Sequence, residues 1–217
     1  MYFESREHAG RLLARKLAPY RYENCVVVAL SVGGAVVAEQ IARQLHCLMM
    51  LLITKDIDVP GEDVLFGSVA QGGIFTYNSS FTEGEIDGYV SEFHGYLDEQ
   101  KREAFQSINR MLGKKGTMDI KLIRGRVVIL VDDGLDNSSR VDVVLDFLKP
   151  IRTQRLIVTS PVATIDSVDK VHVLADEVHI LDVKQNYIST EHYYDNNELP
   201  STEETVKRVS EIITNWR

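Results

Sequence analysis

The sequence predicts an α/β protein built on a mostly parallel, three-layer sheet. Short apolar runs of strand length alternate along the chain with stretches in which apolar residues recur at helical spacing. The run Val127–Val131 has no polar interruption, which is typical of a parallel strand that is buried on both faces. A chain of 217 residues, 44% of them hydrophobic, can bury a sizeable core, so we expect a single domain over residues 1–217.

The first elements are a helix, a strand and a glycine turn. Apolar residues lie on one face of Ser5–Leu17, which predicts an amphipathic helix that ends before Pro19. The apolar run Cys25–Leu30 predicts the first core strand, and Ser31–Gly34 separates it from a second helix. The glycines of this turn could let backbone amides approach a phosphate, although a plain tight turn between strand and helix also explains them.

The next elements are a strand, a loop and a hairpin. Leu48–Thr54 predicts the strand that completes a right-handed βαβ unit. Lys55–Asp63 is polar and contains a Pro-Gly turn, so we expect a loop there. Leu65–Ala70 and Ile74–Tyr77 flank a pair of glycines, which predicts a β-hairpin.

Residues 78–116 predict a long helical arm or lid. Thr82 and Glu85 have the spacing of a capping box, and apolar residues then recur at helical spacing as far as Leu112. The aromatic residues among them indicate packing rather than a cofactor site. A helix of this length is a candidate contact for a homodimer.

The last third of the chain alternates strands and helices again. Arg155–Thr159 predicts a strand that ends at Ser160-Pro161, and Glu177–Asp182 predicts another after an intervening helix. Ser201 and Glu204 form a second capping box, which predicts the start of the final helix.

Two acidic residues mark the turn that follows the most apolar strand. Asp132 and Asp133 come directly after Val127–Val131, Gly134 permits a sharp turn, and a helix then runs to Pro150. In open α/β sheets ligands bind outside the carboxyl ends of the strands. Adjacent carboxylates there could bind vicinal hydroxyls or a hydrated metal. The alternative is that they only cap and solvate the strand end.

Composition excludes several other classes of protein. A net charge of −8 argues against binding nucleic acid or an anionic membrane, and no apolar run approaches a membrane span of about 20 residues. The N-terminus has no signal-peptide core, so we expect a cytoplasmic protein. Cys25 and Cys47 lack metal or redox spacing and suit a reducing compartment, and the six histidines are scattered.

The segment Val128–Gly134 resembles the phosphoribosyl-pyrophosphate (PRPP) motif of type I phosphoribosyltransferases. In that motif an apolar strand is followed by two acidic residues and a phosphate loop of small residues. Further segments are similar, in the same order, to a stand-alone bacterial and archaeal group of this family. They are Arg6–Gly10, Ser31–Gly34, Lys55 with Pro60-Gly61, Gln185–Tyr187 and Tyr193–Asp195.

The resemblance implies a Rossmann-like core with a small hood over the base, which we assign to residues 183–200. The family's reaction displaces pyrophosphate from the anomeric carbon of ribose by a nitrogen nucleophile, with the help of Mg²⁺. By position, Asp132 and Asp133 are the catalytic acids that hold the ribose hydroxyls, and no residue is expected to ligate the metal directly. The phosphate loop corresponds to Gly134, Leu135, Asp136, Asn137, Ser138, Ser139 and Arg140. The pyrophosphate contacts correspond to Val32, Gly33, Gly34 and Lys55. The hood residues correspond to Tyr187 and Tyr193.

Several positions depart from the family's motif. Ser138 stands where the phosphate loop usually has glycine, and Asp136 adds a like charge that costs about 1–4 kcal/mol at about 4 Å from a phosphate. Val32 and Thr54 replace arginines beside the pyrophosphate. These changes predict a degenerate phosphate site, although Arg140 could bind a phosphate in compensation.

Two main hypotheses follow for the function. One is a divergent transferase that acts on a small phosphorylated ligand, namely PRPP, pyrophosphate or a nucleotide. The other is a non-catalytic binding or regulatory module on the same fold that recognises a phosphate ligand. A nucleoside-phosphate hydrolase is less well supported, because no His/Asp or Ser/His constellation is placed for it.

Overall fold

The structure is a computed structural model that describes residues 2–62, 64–112, 120–136 and 140–215. It divides into two compact units. The first unit comprises Met1–Leu51, Met118–Asn137 and Ile151–Arg217, and the second comprises Leu52–Thr117 and Ser138–Pro150. The prediction of a single domain remains a prediction.

The first unit contains a five-stranded sheet in which every neighbouring pair is parallel. Its strands are β1 (Cys25–Ala29), β2 (Leu48–Leu51), β6 (Val127–Val131), β7 (Arg155–Thr164) and β8 (Glu177–Lys184). The order across the sheet is β2-β1-β6-β7-β8. The sequence-based prediction of a mostly parallel α/β sheet is therefore confirmed.

The centre of this sheet explains the unbroken apolar runs. All five residues of β1 and all five of β6 are buried, as expected for strands covered on both faces. The two strands pair from Cys25 with Val127 through to Ala29 with Val131. Their carboxyl ends therefore lie side by side, and so do the two turns that follow them.

Helices α1 (Arg6–Lys16), α2 (Val32–Leu45), α5 (Ile165–Leu174) and α6 (Thr202–Asn215) pack against this sheet. Three of them begin at side-chain caps. Ser5, Ser31 and Thr164 each accept a hydrogen bond from a backbone N–H of the first turn. The predicted capping box of α6 is also present, because Ser201 and Glu204 exchange hydrogen bonds of 2.9 and 3.2 Å.

The second unit is built on a three-stranded antiparallel sheet. Strands β3 (Thr54–Asp58), β4 (Leu65–Ala70) and β5 (Phe75–Tyr77) lie in that order, and helices α3 (Glu83–Leu112) and α4 (Arg140–Leu148) pack on them. Phe66 is fully buried and contacts four other aromatic rings of this unit. The predicted hairpin and the long helix are confirmed over these residues. Residues 113–116 of the predicted arm lie outside the described residues.

Two strand predictions were wrong in extent. The predicted strand Leu48–Thr54 ends at Leu51, and the predicted loop after it contains β3. Ile57 is buried while Asp56 and Asp58 are exposed, which is the alternation of a half-buried strand. β7 continues through Pro161 to Thr164, beyond the point where β6 has ended, so its later residues need no partner in β6.

Two further observations bear on the sequence analysis. Cys25 and Cys47, which seemed isolated in the sequence, are both buried, and their thiols lie close enough to shift each other's pKa. Within the described residues, no helix is long and apolar enough to span a membrane.

Candidate active site

The acid pair lies at the carboxyl end of β6, beside the turn that joins β1 to α2. Asp132 and Asp133 are only 2% and 7% exposed. The parallel pairing of β1 with β6 places Ser31–Gly34 next to them. The two segments that the sequence assigned to ribose and to pyrophosphate therefore meet in the first unit.

Ser31 joins the turn to both acids. Its hydroxyl oxygen accepts a hydrogen bond of 2.8 Å from the Gly34 N–H and so caps α2. The same oxygen lies 2.5 Å from Oδ1 of Asp132 and 3.1 Å from Oδ1 of Asp133, so its proton is shared between the carboxylates. Asp132 Oδ1 also accepts the Asp133 N–H at 3.0 Å, which fixes the rotamer of Asp132.

The glycines of the turn are required by the acids. A Cβ on Gly33 would overlap the carboxylate of Asp133. A Cβ on Gly34 would lie 2.8 Å from the backbone oxygen of Val131 and 2.9 Å from Oδ1 of Asp132. Close packing against the acid pair thus explains both glycines, in addition to any role in admitting a phosphate. Val32, the third predicted residue of this turn, is the first residue of α2 and is half-buried.

Arg6 is the site residue whose role the sequence analysis missed. Its Nε donates to Oδ2 of Asp133 at 2.6 Å, and the side chains are 2% and 9% exposed. Arg6 lies on the buried face of α1 together with Ala9, Gly10 and Leu13. An arginine at an apolar position of an amphipathic helix was the available signal, because such a group is buried only with a partner.

The C-terminal segment covers the other side of the acid pair. The Tyr194 hydroxyl donates to the backbone oxygen of Asp133 at 2.5 Å. Burial raises the pKa of Tyr194, and the negative charge of Asp133 raises it further, so this hydroxyl stays a donor at neutral pH. Tyr187 and Thr190 hydrogen-bond to each other at 2.7 Å and lie against Gly134, where a Cβ would collide with both.

The two predicted hood residues differ in what they reach. Tyr187 is half-buried, and its pKa is raised by burial and by the surrounding carboxylates, including Asp136. The Tyr193 hydroxyl instead bonds within its own segment, to the backbone of Asn186 and Ile188 at 3.3 Å. Of the two, Tyr187 is therefore the one placed at the start of the predicted phosphate loop.

The first part of the predicted phosphate loop is held against β7. Leu135 donates to the Val162 oxygen and accepts from the Thr164 N–H, both at 2.9 Å. Ser167 donates its hydroxyl to the backbone oxygen of Asp136 at 2.5 Å. These bonds fix the direction in which the chain leaves the acid pair.

The remaining predicted loop and pyrophosphate residues have other positions. Asn137, Ser138 and Ser139 lie outside the described residues, and Arg140 is described only as the first residue of α4. Lys55 belongs to the second unit. There it lines a polar groove of about 440 Å³ between β3 and α3.

The residues of the described site can be compared with what a magnesium ion needs. No group of three His, Cys, Asp or Glu side chains converges anywhere in the described part of the chain. The donor set that the site offers is the carboxylate pair Asp132 and Asp133. This set suits Mg²⁺, which is commonly bound by one or two carboxylates together with substrate phosphates and water.

Comparisons with known proteins point to one family. A family model described as the phosphoribosyl transferase domain matches residues 4–195, which include Arg6, the acid pair and Tyr194. The chain is 25% identical over 208 residues to a Mycobacterium tuberculosis protein named "Putative phosphoribosyl transferase". That match covers 94% of this chain but only 45% of the relative. The crystal structure of TT1426 from Thermus thermophilus is similar with a TM-score of 0.74 at 28% identity, over 100% of this chain and 99% of that one.

Proposed function

The chain belongs to the phosphoribosyl transferase domain family, and from this we propose that it binds a phosphoribosyl ligand such as PRPP at the acid pair and transfers the phosphoribosyl group to a nitrogen nucleophile. The observation that carries the proposal is the juxtaposition of two turns. The Ser31–Gly34 turn lies directly against Asp132 and Asp133 through the Ser31 hydroxyl. Two adjoining turns would hold a sugar and its leaving group side by side.

In the proposed reaction, the bond from the anomeric carbon to the pyrophosphate oxygen breaks and a carbon–nitrogen bond forms. The departing electron pair leaves with pyrophosphate, and the nucleophile gives up its proton. Positive charge develops on the sugar during this exchange. Asp132 and Asp133 would accept the ribose hydroxyls and stabilise that charge, and fixed partners reduce the reorganisation that this requires. Bound Mg²⁺ would neutralise charge on the pyrophosphate.

The start of α2 is suited to the leaving group. Backbone N–H groups at a helix N-terminus attract anions, and this helix begins at Val32 beside the acid pair. We propose Val32, Gly33 and Gly34 as the pyrophosphate turn and Lys55 as a further contact. Residues 134–140 would receive the 5-phosphate and Tyr187 would face the base from the hood segment 183–200. Cytoplasmic location, and a homodimer formed through the arm, belong to the same proposal.

A non-catalytic module is the second candidate, and one observation favours it. Both acids already have partners inside the protein, since Asp133 pairs with Arg6 and Asp132 with Ser31. A carboxylate satisfied in this way gains less from a ribose hydroxyl. The module would bind a phosphate ligand without turning it over.

Calorimetric titration with PRPP and Mg²⁺ tests the binding step, and release of pyrophosphate in the presence of nitrogen nucleophiles tests the transfer. We expect a dissociation constant of about micromolar magnitude. Asp133→Asn should weaken binding about a hundredfold, to an affinity that calorimetry can still measure. Asp169→Asn, at an exposed position on α5, is the matched control and should leave it unchanged.

Each outcome has a definite meaning. Binding with pyrophosphate release supports the transferase, whereas binding without turnover for any nucleophile favours the module. No binding of PRPP, pyrophosphate or a nucleoside monophosphate would contradict both.

A further inference from the structure

Arg6 contacts three residues that lie in two different parts of the chain. Its Nε donates to Asp133 at 2.6 Å, and its Nη1 donates to the side-chain oxygen of Asn197 at 3.1 Å. The guanidinium carbon also lies 4.5 Å from the centroid of the Tyr194 ring. The first contact reaches the acid pair and the other two reach the C-terminal segment. One side chain of α1 therefore connects the acid pair to the C-terminal segment.

Packing alone does not account for an arginine in this place. The side chain is only 2% exposed, so its charge has been removed from water. Burying an ion pair commonly costs as much as its attraction returns, and apolar residues of similar volume stabilise a fold equally well. The presence of an arginine here is best explained by the groups that its charge holds in place.

Asp133 is fixed from several directions. Oδ2 is bound by Arg6, and Oδ1 lies 3.1 Å from the Ser31 hydroxyl. The backbone oxygen of the same residue accepts from Tyr194. The other titratable groups that face it are Asp132 and Tyr187. Arg6 supplies the only cation among these contacts of the described residues.

The C-terminal segment is in turn attached to the N-terminus. Phe3 pairs with Tyr194, with backbone hydrogen bonds of 2.9 Å on both sides, and the two aromatic rings pack 5.7 Å apart. Asn197 donates its amide to the backbone oxygens of Glu191 and Tyr194, which orients its own oxygen toward Arg6. The guanidinium of Arg6 therefore both binds this segment and holds the carboxylate of Asp133 in place.

We infer that Arg6 is a positioning residue, which fixes the carboxylate of Asp133 for the sugar and makes that placement depend on docking of the segment Tyr193–Asn197 onto α1. The inference rests on the proposed function for its consequence in ligand binding. Its structural content does not depend on that function. Two measurements distinguish the positioning role of Arg6 from the proposed function.

The first measurement is hydrogen exchange in the 217-residue chain without ligand. Arg6→Met keeps an unbranched apolar stem but removes the guanidinium and its charge, whereas Arg6→Lys keeps the charge. We expect amide exchange over residues 132–136 to rise about tenfold in Arg6→Met and to fall back toward the wild-type rate in Arg6→Lys. Arg43→Met, which breaks an exposed ion pair with Glu39 on α2, is the control and should not change it. Equal exchange in Arg6→Met and the wild type would overturn the inference.

The second measurement is a double-mutant cycle on PRPP affinity. If Arg6 acts through Asp133, Arg6→Met should weaken binding about tenfold in the wild type and have little further effect in Asp133→Asn. Additive losses would mean that Arg6 serves only the fold, and would refute a positioning role. Tyr194→Phe, which removes one hydroxyl, gives a milder third variant should Arg6→Met fold poorly, and it should raise exchange over the same residues. If the wild type binds no PRPP, the proposed function fails while hydrogen exchange still decides the role of Arg6.

Discussion

Ser31→Ala is the sharpest single test of how the site is built. The Ser31 hydroxyl caps α2 through the Gly34 N–H at 2.8 Å, and it lies 2.5 and 3.1 Å from the carboxylates of Asp132 and Asp133. Alanine removes the cap and the hydrogen bond to the acids together.

The expected loss can be worked out from these contacts. Loss of a serine N-cap costs about 0.5–2 kcal/mol. The hydroxyl has one proton, so its two carboxylate contacts count as one hydrogen bond to a charged group, worth about 1.5–3 kcal/mol. Asp132 is 2% exposed, so water cannot replace the lost donor. We therefore expect the free energy of unfolding to fall by about 2–5 kcal/mol.

Urea unfolding followed by far-UV circular dichroism at pH 7 measures this loss. Ser5→Ala is the matched control, because Ser5 caps α1 through the His8 N–H at 3.3 Å. It should lose only the capping contribution of about 0.5–2 kcal/mol. Equal losses in the two variants would show that the hydroxyl of Ser31 does not support the acids, and would refute the reasoning.

Three further predictions concern other parts of the molecule. Gly33→Ala should destabilise the protein, because the added Cβ would overlap the carboxylate of Asp133. In Gly88→Ala the added Cβ meets nothing within 4 Å, so this change in α3 should raise the free energy of unfolding by about 0.5–1 kcal/mol. Urea unfolding of the two variants measures both effects. The hydrogen bond from Tyr20 lowers the pKa of Glu177. The ionised Glu177 carboxylate therefore stabilises the folded protein fully above the ordinary glutamate pKa of about 4.3, and this stabilisation is lost as the pH falls through the lowered pKa. Glu177→Gln should accordingly lower the urea midpoint at pH 7 and lower it less at pH 3. The hydrogen bond with the Cys25 thiol, together with burial, raises the pKa of Cys47. A thiol reagent at pH 8 should therefore modify Cys47 only after the protein unfolds. Modification of Cys47 in the native protein at the rate of an exposed thiol would contradict this.

The parallel sheet was predictable because its central strands are short apolar runs without a polar residue. Val127–Val131 is apolar at every position, and such a run is stable only with both faces covered. The strand Thr54–Asp58 escaped prediction because four of its five residues are polar. Its identity depends on pairing with β4, including the contact between Asp56 and Ser68, and such long-range pairing leaves little local signal.

The candidate site was predictable in one part and not in another. Asp132, Asp133 and the glycine turn follow adjacent strands, and the rule that ligands bind at the carboxyl ends of strands brings them together. The partner of Asp133 was not predictable in this way. Arg6 lies 127 positions away along the chain, and its contact depends on how α1 packs against the sheet. Spacing within one element carries no information about such a pair.

Arg6 also bears on the charge problem that the sequence poses. The acid pair alone has a formal charge of −2, and the protein as a whole has −8, yet the proposed ligand is a polyanion. Arg6 reduces the charge of the cluster to −1, since Asp132 and Asp133 contribute −2 and Arg6 contributes +1. Each like charge at about 4 Å from a phosphate costs about 1–4 kcal/mol, which is comparable with what one lost cation would have supplied. Under the proposed function, the charge of Arg6 would offset in part the arginine that the turn lacks at Val32, and would lower the cost of bringing a phosphorylated sugar to the acid pair.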